Sequence, residues 1–270
     1  MHIIFKKSIL ACVLGPALQG LWMCPATAAA PASGAPAVKT AQPTVVLVHG
    51  AWADGSGWEK VVALLLDSGV NVAVVQNPLT SLADDVAATR RVLDSQSGPV
   101  VLVGHSWGGV VIGEAGVHDK VKALVYVAAF APAEGESVND LLAVKDIPQP
   151  PGLAAIRPDS AGYLWLSPEG MAHDFAQDVP LAKARLLAVT QVPINSPSFG
   201  QKSAAAAWRA KPTWYLMTNQ DRMLPPAAQQ HFAKRMNAKV TAIDASHAPM
   251  LSKPAEVVAV ILDAVRRVGQ

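Results

Sequence analysis

A serine between two glycines is the first feature of this chain that could do chemistry. Residues 104–108 have the sequence G-H-S-W-G, between an apolar run at 100–103 and a helix-like segment that begins at Gly109. This strand, turn and helix context is that of a nucleophile elbow, in which the flanking glycines let neighbouring backbone approach closely. The turn would project Ser106 at a helix N-terminus, where free N–H groups favour a developing negative charge. The motif therefore predicts Ser106 as a nucleophile.

A second loop could donate hydrogen bonds to the same reaction. His49 and Gly50 end an apolar run and are followed by Ala51 and Trp52. In proteins with a serine elbow, one backbone N–H of the oxyanion hole comes from a loop at this position, and the other comes from the residue after the nucleophile. We therefore predict an oxyanion hole formed by Ala51 or Trp52 together with Trp107. An ordinary strand-to-helix turn is the alternative for so short a motif.

His247 is the predicted general base. Of the seven histidines, it is the one that follows the last apolar run, in the loop D-A-S-H-A-P at residues 244–249. A loop at the carboxyl edge of a sheet could bring this imidazole onto Ser106, where it would accept the hydroxyl proton.

Asp221 is the predicted acid that orients the histidine. It follows the apolar run at 213–217, so the chain order is serine, aspartate, histidine, as in one known arrangement of such triads. A buried carboxylate there would fix the tautomer of His247 and stabilise its protonated form. The alternative for Asp221 is a solvated turn residue paired with Arg222. The rival candidates for the acid are Glu134, Glu136 and Asp244.

Six short, almost continuous apolar runs must position these side chains. They lie at residues 44–48, 71–75, 100–103, 123–127, 213–217 and 239–243. Such runs are typical of strands buried on both faces of a parallel sheet. The segments between them have helical spacing, with start signals at Ser81, at Pro254 and in a capping box of Ser56 and Glu59. The alternation predicts an α/β fold with a doubly wound, mainly parallel sheet.

Residues 131–207 interrupt this alternation. They are rich in proline, contain short helical pieces and include no convincing buried strand. We interpret them as a helical cap inserted after the fourth predicted strand, so that residues 44–130 and 208–270 form the core. Most apolar side chains of the cap would pack within it, but some are predicted to line an apolar pocket. The candidates are Tyr163, Trp165 and Phe175.

The first 28 residues have the three parts of a secretory signal. Two lysines are followed by an apolar stretch and by small residues at 26–28, which predicts cleavage after Ala28 and export to the periplasm or the medium. The apolar stretch falls short of the roughly 20 residues that a membrane span needs, so no stable membrane anchor is expected. Residues 29–43, rich in Ala, Pro, Ser and Thr, are predicted to form a flexible leader.

Composition excludes several classes of protein. The 22 basic and 20 acidic residues leave a net charge of +2 without a run of like charge, so no nucleic-acid partner is expected. Both cysteines lie within the predicted signal segment, so the mature chain would have no disulfide and no cysteine ligand for a metal. No metal site is predicted.

Four stretches resemble a known family. They are residues 46–58 (V-L-V-H-G-A-W-A-D-G-S-G-W), the elbow at 104–109, N-Q-D-R at 219–222 and S-H-A-P-M-L-S-K-P at 246–254. Over residues 44–267 the chain is similar to bacterial relatives of the plant methylesterases and hydroxynitrile lyases, a branch of the α/β-hydrolases. The resemblance implies a carboxylesterase that needs no cofactor and forms an acyl-enzyme on Ser106. The expected partner is a small-molecule ester of apolar or aromatic character.

Two other functions are compatible with the same fold. Hydroxynitrile lyases of this branch carry a lysine immediately after the histidine, a charge that stabilises departing cyanide, but this chain has Ala248 there. A receptor that binds a ligand without turnover is the second alternative, since a fold does not fix a function. The presence of Ser106, Asp221 and His247 counts against it.

Overall fold

The computed structural model describes residues 42–145 and 147–269. The predicted signal peptide (residues 1–28) and the predicted leader as far as residue 41 lie outside the described residues. Within the described ranges, no helix is both long and apolar enough to cross a membrane.

The first part of the chain alternates strands and helices as predicted. Its elements are β1 (Thr44–Val48), α1 (Glu59–Asp67), β2 (Asn71–Val75), α2 (Leu82–Asp94), β3 (Val100–His105), α3 (Gly108–Ala115) and β4 (Val121–Val127). The helix start at Ser81 is confirmed, because its side chain accepts a hydrogen bond from the Asp84 amide. The capping box at Ser56 is wrong: Asp54 accepts the Ser56 amide at 2.7 Å and begins a 3-10 turn ahead of α1.

The inserted segment, residues 131–207, follows β4. Its elements are α4 (Val138–Leu142), β5 (Ile156–Pro158), β6 (Tyr163–Leu166), α5 (Pro168–Gly170), a π-helical turn (Met171–Phe175), α6 (Leu181–Thr190) and β7 (Ile194–Asn195). Further 3-10 turns lie at Pro151–Ala155, Ser196–Gly200 and Ala207–Arg209. The strands β5, β6 and β7 form an antiparallel sheet that we did not predict. Strands of two to four residues are too short to show a clear alternation of apolar and polar residues.

The last part of the chain completes the large sheet. It contains β8 (Thr213–Thr218), α7 (Pro226–Arg235), β9 (Lys239–Ile243), α8 (Pro249–Ser252) and α9 (Pro254–Val268), which begins at the predicted proline. The strand order is β2-β1-β3-β4-β8-β9, and every neighbouring pair is parallel. Helix α9 packs against α1, and α2 packs against α3. The predicted doubly wound sheet is therefore confirmed.

How deeply a strand is buried depends on its position in the sheet. The side chains of β1 and β3, in the centre, are buried along their whole length. Strand β9 lies at one edge, where four of its five residues are exposed, so the expectation that it is buried on both faces is wrong. An edge strand has a neighbour on one side only, which leaves more of its surface in water.

Candidate active site

Three loops at the carboxyl edge of the sheet bring the predicted triad together. Ser106 follows β3, Asp221 follows β8 and His247 follows β9. The Ser106 hydroxyl oxygen lies 2.8 Å from His247 Nε2, and His247 Nδ1 lies 2.7 Å from Asp221 Oδ2. All three residues are buried. The line of hydrogen bonds places the proton of the neutral imidazole on Nδ1, so that Nε2 accepts from the serine.

The turn at Ser106 is strained. Its φ of 53° lies in the left-handed region, which costs a residue with a Cβ about 1–2 kcal/mol. A Cβ at Gly104 would lie 2.5 Å from the Gly108 carbonyl oxygen, and one at Gly108 would lie 2.6 Å from the Val48 carbonyl oxygen. The two glycines of the motif are therefore required by the close packing of β1, β3 and α3 around the serine.

Five hydrogen bonds hold the Asp221 carboxylate. Oδ1 accepts from the amides of Met223 and Leu224, at 2.8 and 2.7 Å. Oδ2 accepts from the Thr218 hydroxyl at 3.1 Å, from Gln229 Nε2 at 2.9 Å and from His247. With every lone pair directed at a donor, the carboxylate has one orientation.

The alternatives for the acid have other partners. Arg222 donates to Asp174 at 2.6 Å rather than to Asp221. The Asp244 carboxylate accepts an exposed hydrogen bond from the Asn219 side chain at 2.8 Å. Glu136 forms an ion pair with Arg235. Glu134 is exposed. Among the candidate acids, Asp221 is the one that makes a hydrogen bond to the His247 ring.

The loop after β1 lies directly against the serine. A Cβ at Gly50 would lie 2.8 Å from Ser106 Cβ, so only glycine fits there. His49 is fixed by Asn77, whose amide donates to His49 Nε2 and whose side chain donates to the His49 carbonyl, both at 2.9 Å. Burial lowers the pKa of His49, which therefore stays neutral.

The predicted oxyanion-hole residues belong to two loops, the one after β1 and the elbow after β3. Trp52, in the first of these loops, has a φ of 58°, and Trp107 is the residue before α3. Within residues 42–145 and 147–269, the backbone hydrogen bonds include none donated by the amides of Ala51, Trp52 or Trp107. These N–H groups are thus available to an oxygen bound beside Ser106.

His105 makes a hydrogen bond to the backbone of His247. It is fully buried, and its Nε2 donates to the His247 carbonyl oxygen at 2.8 Å. The two imidazole rings lie 4.8 Å apart. Burial first, and the neighbouring His247 second, hold the pKa of His105 well below its usual range. A neutral His105 therefore anchors the backbone of His247.

Aromatic rings lie beside the histidine and the predicted oxyanion-hole residues. Phe175 is buried and contacts the His247 ring edge-on, with centroids 5.1 Å apart. Trp52 lies between Phe175 and Phe199, at 6.5 and 6.4 Å, and Phe199 also contacts Trp107 at 5.7 Å. Sequence reasoning missed Phe199, because it belongs to a 3-10 turn without any recognisable pattern.

The three predicted pocket residues separate in the structure. Phe175 reaches His247, whereas Tyr163 and Trp165 lie in β6 and have no ring contact with the site among the described residues. Trp165 is 37% exposed, and its indole donates to Asp159. Between them, the Leu164 carbonyl accepts from the Trp52 indole at 2.9 Å. Successive side chains of a strand point to opposite faces of the sheet, so Leu164 lies on one face and Tyr163 and Trp165 lie on the other.

Asp85, which sequence reasoning missed, is a buried carboxylate beside the elbow. It is 0% exposed on α2, and it accepts from the Trp107 indole at 2.7 Å and from the Leu79 amide at 2.8 Å. Burial raises the pKa of Asp85 to about 6, against the opposite effect of these two hydrogen bonds. An acidic pair at 84–85 in the first turn of a helix suggests a solvated charge, but Asp85 lies on the same buried face as Leu82 and Thr89.

Comparison with known proteins agrees with this architecture. Residues 45–260 match the model of the alpha/beta hydrolase family, and the chain belongs to that family. Alpha/beta hydrolase nvfD of Aspergillus novofumigatus is 28% identical over 248 residues, which cover 83% of this chain and 96% of that protein. Methylesterase 7 of Arabidopsis thaliana is 28% identical over 257 residues, covering 83% of this chain and 97% of that protein.

A solved structure shows the same fold. The crystal structure of a mutant polyneuridine aldehyde esterase superimposes with a TM-score of 0.71 at 24% identity, covering 83% of this chain and 99% of that one. Family membership and fold together identify this chain as a hydrolytic enzyme.

The raised pKa of Asp85 predicts a pH dependence of stability. Because folding favours the protonated form, its contribution is present below the ordinary pKa of 3.8 and is lost as the pH rises through about 6. Between pH 4 and pH 8, the free energy of unfolding of the parent should fall by about 2 kcal/mol more than that of Asp85→Asn. Urea unfolding at both pH values measures the difference. Equal losses in the two proteins would contradict it.

Proposed function

We propose that this chain is a serine carboxylesterase that acts through Ser106, His247 and Asp221. The observation that carries the proposal is the buried line of two hydrogen bonds, 2.8 Å from Ser106 Oγ to His247 Nε2 and 2.7 Å from His247 Nδ1 to Asp221 Oδ2. Its geometry is that of a nucleophile, a general base and an orienting acid.

Acylation begins when the Ser106 oxygen attacks the ester carbonyl carbon. His247 Nε2 accepts the hydroxyl proton, and the Asp221 carboxylate stabilises the imidazolium that forms. The negative charge on the carbonyl oxygen is held by the Trp107 amide together with that of Ala51 or Trp52. Collapse of the tetrahedral intermediate expels the alcohol, which takes its proton from His247.

Deacylation repeats these steps with water. His247 Nε2 accepts a proton from the water that attacks the acyl carbon, and the same amides hold the second oxyanion. Ser106 then leaves with the proton from His247, and the carboxylic acid is released. No step requires a cofactor or a metal ion.

An ester substrate with an apolar or aromatic part fits this site best. The rings of Trp52, Phe175 and Phe199 supply apolar surface around the serine and the histidine. The name Methylesterase 7 of the plant relative supports ester hydrolysis. Ala248 is buried and places no charge beside His247, which disfavours the release of cyanide.

Ser106→Ala should lower kcat for p-nitrophenyl acetate by a factor of about 10⁴ or more, because the variant lacks the hydroxyl that forms the acyl-enzyme. Covalent labelling by a fluorophosphonate, followed by intact mass, should disappear with it. Ser95→Ala, an exposed serine at the end of α2, is the control and should keep both properties.

The same assay tests the acid. Asp221→Asn should reduce kcat by a factor of about 10² to 10⁴, because the histidine loses the acceptor that fixes its tautomer. Asp244→Asn, a matched change at the end of the next strand, should have little effect. A Ser106→Ala protein that still turns over, or a reversed ranking of the two aspartates, would show that the triad is assigned wrongly.

The pocket can be tested at Phe175. Phe175→Ala should raise KM for aromatic esters relative to acetate esters by about tenfold or more, since burying an aromatic group contributes about 1.5–3 kcal/mol. Trp165→Ala, which truncates an exposed ring of the same inserted segment, should leave the ratio of KM values unchanged. If Phe175→Ala changes both KM values equally, Phe175 packs the segment without selecting the substrate.

We also propose that the enzyme acts outside the cytoplasm. The basic start, the apolar stretch and the small residues at 26–28 support removal of residues 1–28 during export. The native protein should then have an N-terminus near Ala29, and intact-mass measurement on periplasmic and culture-medium fractions determines it. Recovery of the chain with Met1 contradicts this proposal.

A further inference from the structure

The Trp107 side chain and the Trp107 amide make different contacts in this site. The side chain is almost completely buried at 1% exposure. Its indole N–H donates to Asp85 Oδ2 at 2.7 Å, and its ring packs edge-on against Phe199, with centroids 5.7 Å apart. The same residue supplies the amide next to Ser106. A contact that holds the indole can therefore act on the position of that amide.

The Asp85 carboxylate, which accepts from the Trp107 indole, is itself fixed by a second hydrogen bond. Its other oxygen, Oδ1, accepts from the Leu79 amide at 2.8 Å, and Leu79 has a φ of 57° in the turn that precedes α2. The carboxylate thus connects three parts of the core: the turn after β2, the helix α2 and the elbow after β3.

A carboxylate at this position is costly. Asp85 is 0% exposed, and the ion pairs found among the described residues include none at Asp85. A buried charge without a counter-ion destabilises a fold unless hydrogen bonds compensate for lost water. The two donors that face Asp85 approach separate oxygens. An asparagine would offer one oxygen and direct its NH2 group at the other donor.

We propose that Asp85 is a positioning residue of the oxyanion hole: through the Trp107 indole it fixes the Trp107 amide beside Ser106. The inference rests on the proposed serine esterase mechanism and adds a residue to it. Asp85 does not touch the substrate. It acts on a hydrogen-bond donor whose interaction strengthens when the carbonyl oxygen becomes negative, so its loss affects the transition state more than the bound ester.

The first test compares neighbouring aspartates of α2. Asp85→Asn should lower kcat for p-nitrophenyl acetate by about 10- to 100-fold, with KM within about threefold of the parent value, because an oxyanion donor acts mainly in the transition state. Asp84→Asn removes the same charge from an exposed side chain one residue away and should retain parental values. Circular dichroism verifies that both variants are folded.

The second measurement separates positioning from stability. An aryl trifluoromethyl ketone adds to Ser106 as a tetrahedral adduct with a negative oxygen, so its inhibition constant reports on the oxyanion hole. This constant should rise in Asp85→Asn by the same factor by which kcat/KM falls. If the inhibition constants of Asp85→Asn and Asp84→Asn are equal, Asp85 has a structural role alone and the inference is overturned.

A third variant keeps the inference testable if Asp85→Asn fails to fold. Trp107→Phe retains the backbone amide and an aromatic ring but lacks the indole N–H, so it should reproduce the loss of kcat. Where Asp85→Asn folds, the double variant should be no worse than either single variant, because both remove the same contact. A folded Trp107→Phe enzyme with the parental kcat overturns the inference.

The outcomes also distinguish this inference from the proposed function. If the parent hydrolyses no ester, or if Ser106→Ala remains active, the serine esterase mechanism and the positioning role both fall. If the parent is active, Ser106→Ala is inactive and Asp85→Asn matches Asp84→Asn in all constants, only the positioning role falls.

Discussion

The left-handed backbone at Ser106 is the constraint on which the site depends. A φ of 53° at a residue with a Cβ is unfavourable by itself, so the surrounding structure must hold it. The Ser106 amide donates to the Val127 carbonyl on β4, and its own carbonyl accepts from Gly109 and Phe130. These bonds are possible only where the glycines of the turn let β1, β3 and α3 come close. The packing that forms the centre of the sheet therefore also holds the serine in its strained turn.

Buried polar groups are the second determinant of this site. Asp221, His105 and His49 are each buried, and each has a hydrogen-bond partner that fixes its orientation or its tautomer. Such networks cost free energy when one partner is missing and give a single arrangement when all are satisfied. Asp85 has the same character at the elbow, because its two oxygens meet two donors. The site is thus preorganised before any substrate enters.

The inserted segment contacts the loops of the acid and the base through one short stretch around the π-helical turn. Phe175 contacts His247, and Asp174 pairs with Arg222 next to Asp221. Gln177 donates to the Gln220 carbonyl, and Asp178 accepts from the Ser246 amide, one residue before His247. The loops that carry the acid and the base are therefore both fastened to this stretch. Changes in the segment would act on the chemistry as well as on access of the substrate.

The sequence by itself determined the six strands of the sheet, the elbow at Ser106 and the order of serine, acid and base. These features follow from local sequence patterns, each formed by residues that are close together in the chain. The patterns are continuous apolar runs, glycines in a tight turn and a proline at a helix start. Tertiary structure alone decided that Phe175 rather than Trp165 faces the histidine, that Gln229 fixes the acid and that Asp85 holds Trp107. It also decided which strand is exposed at the edge of the sheet. The hydrogen-bonded partners of the site are up to 142 residues apart. Which of them meet depends on how strands and helices pack in three dimensions, a relation that no local pattern contains.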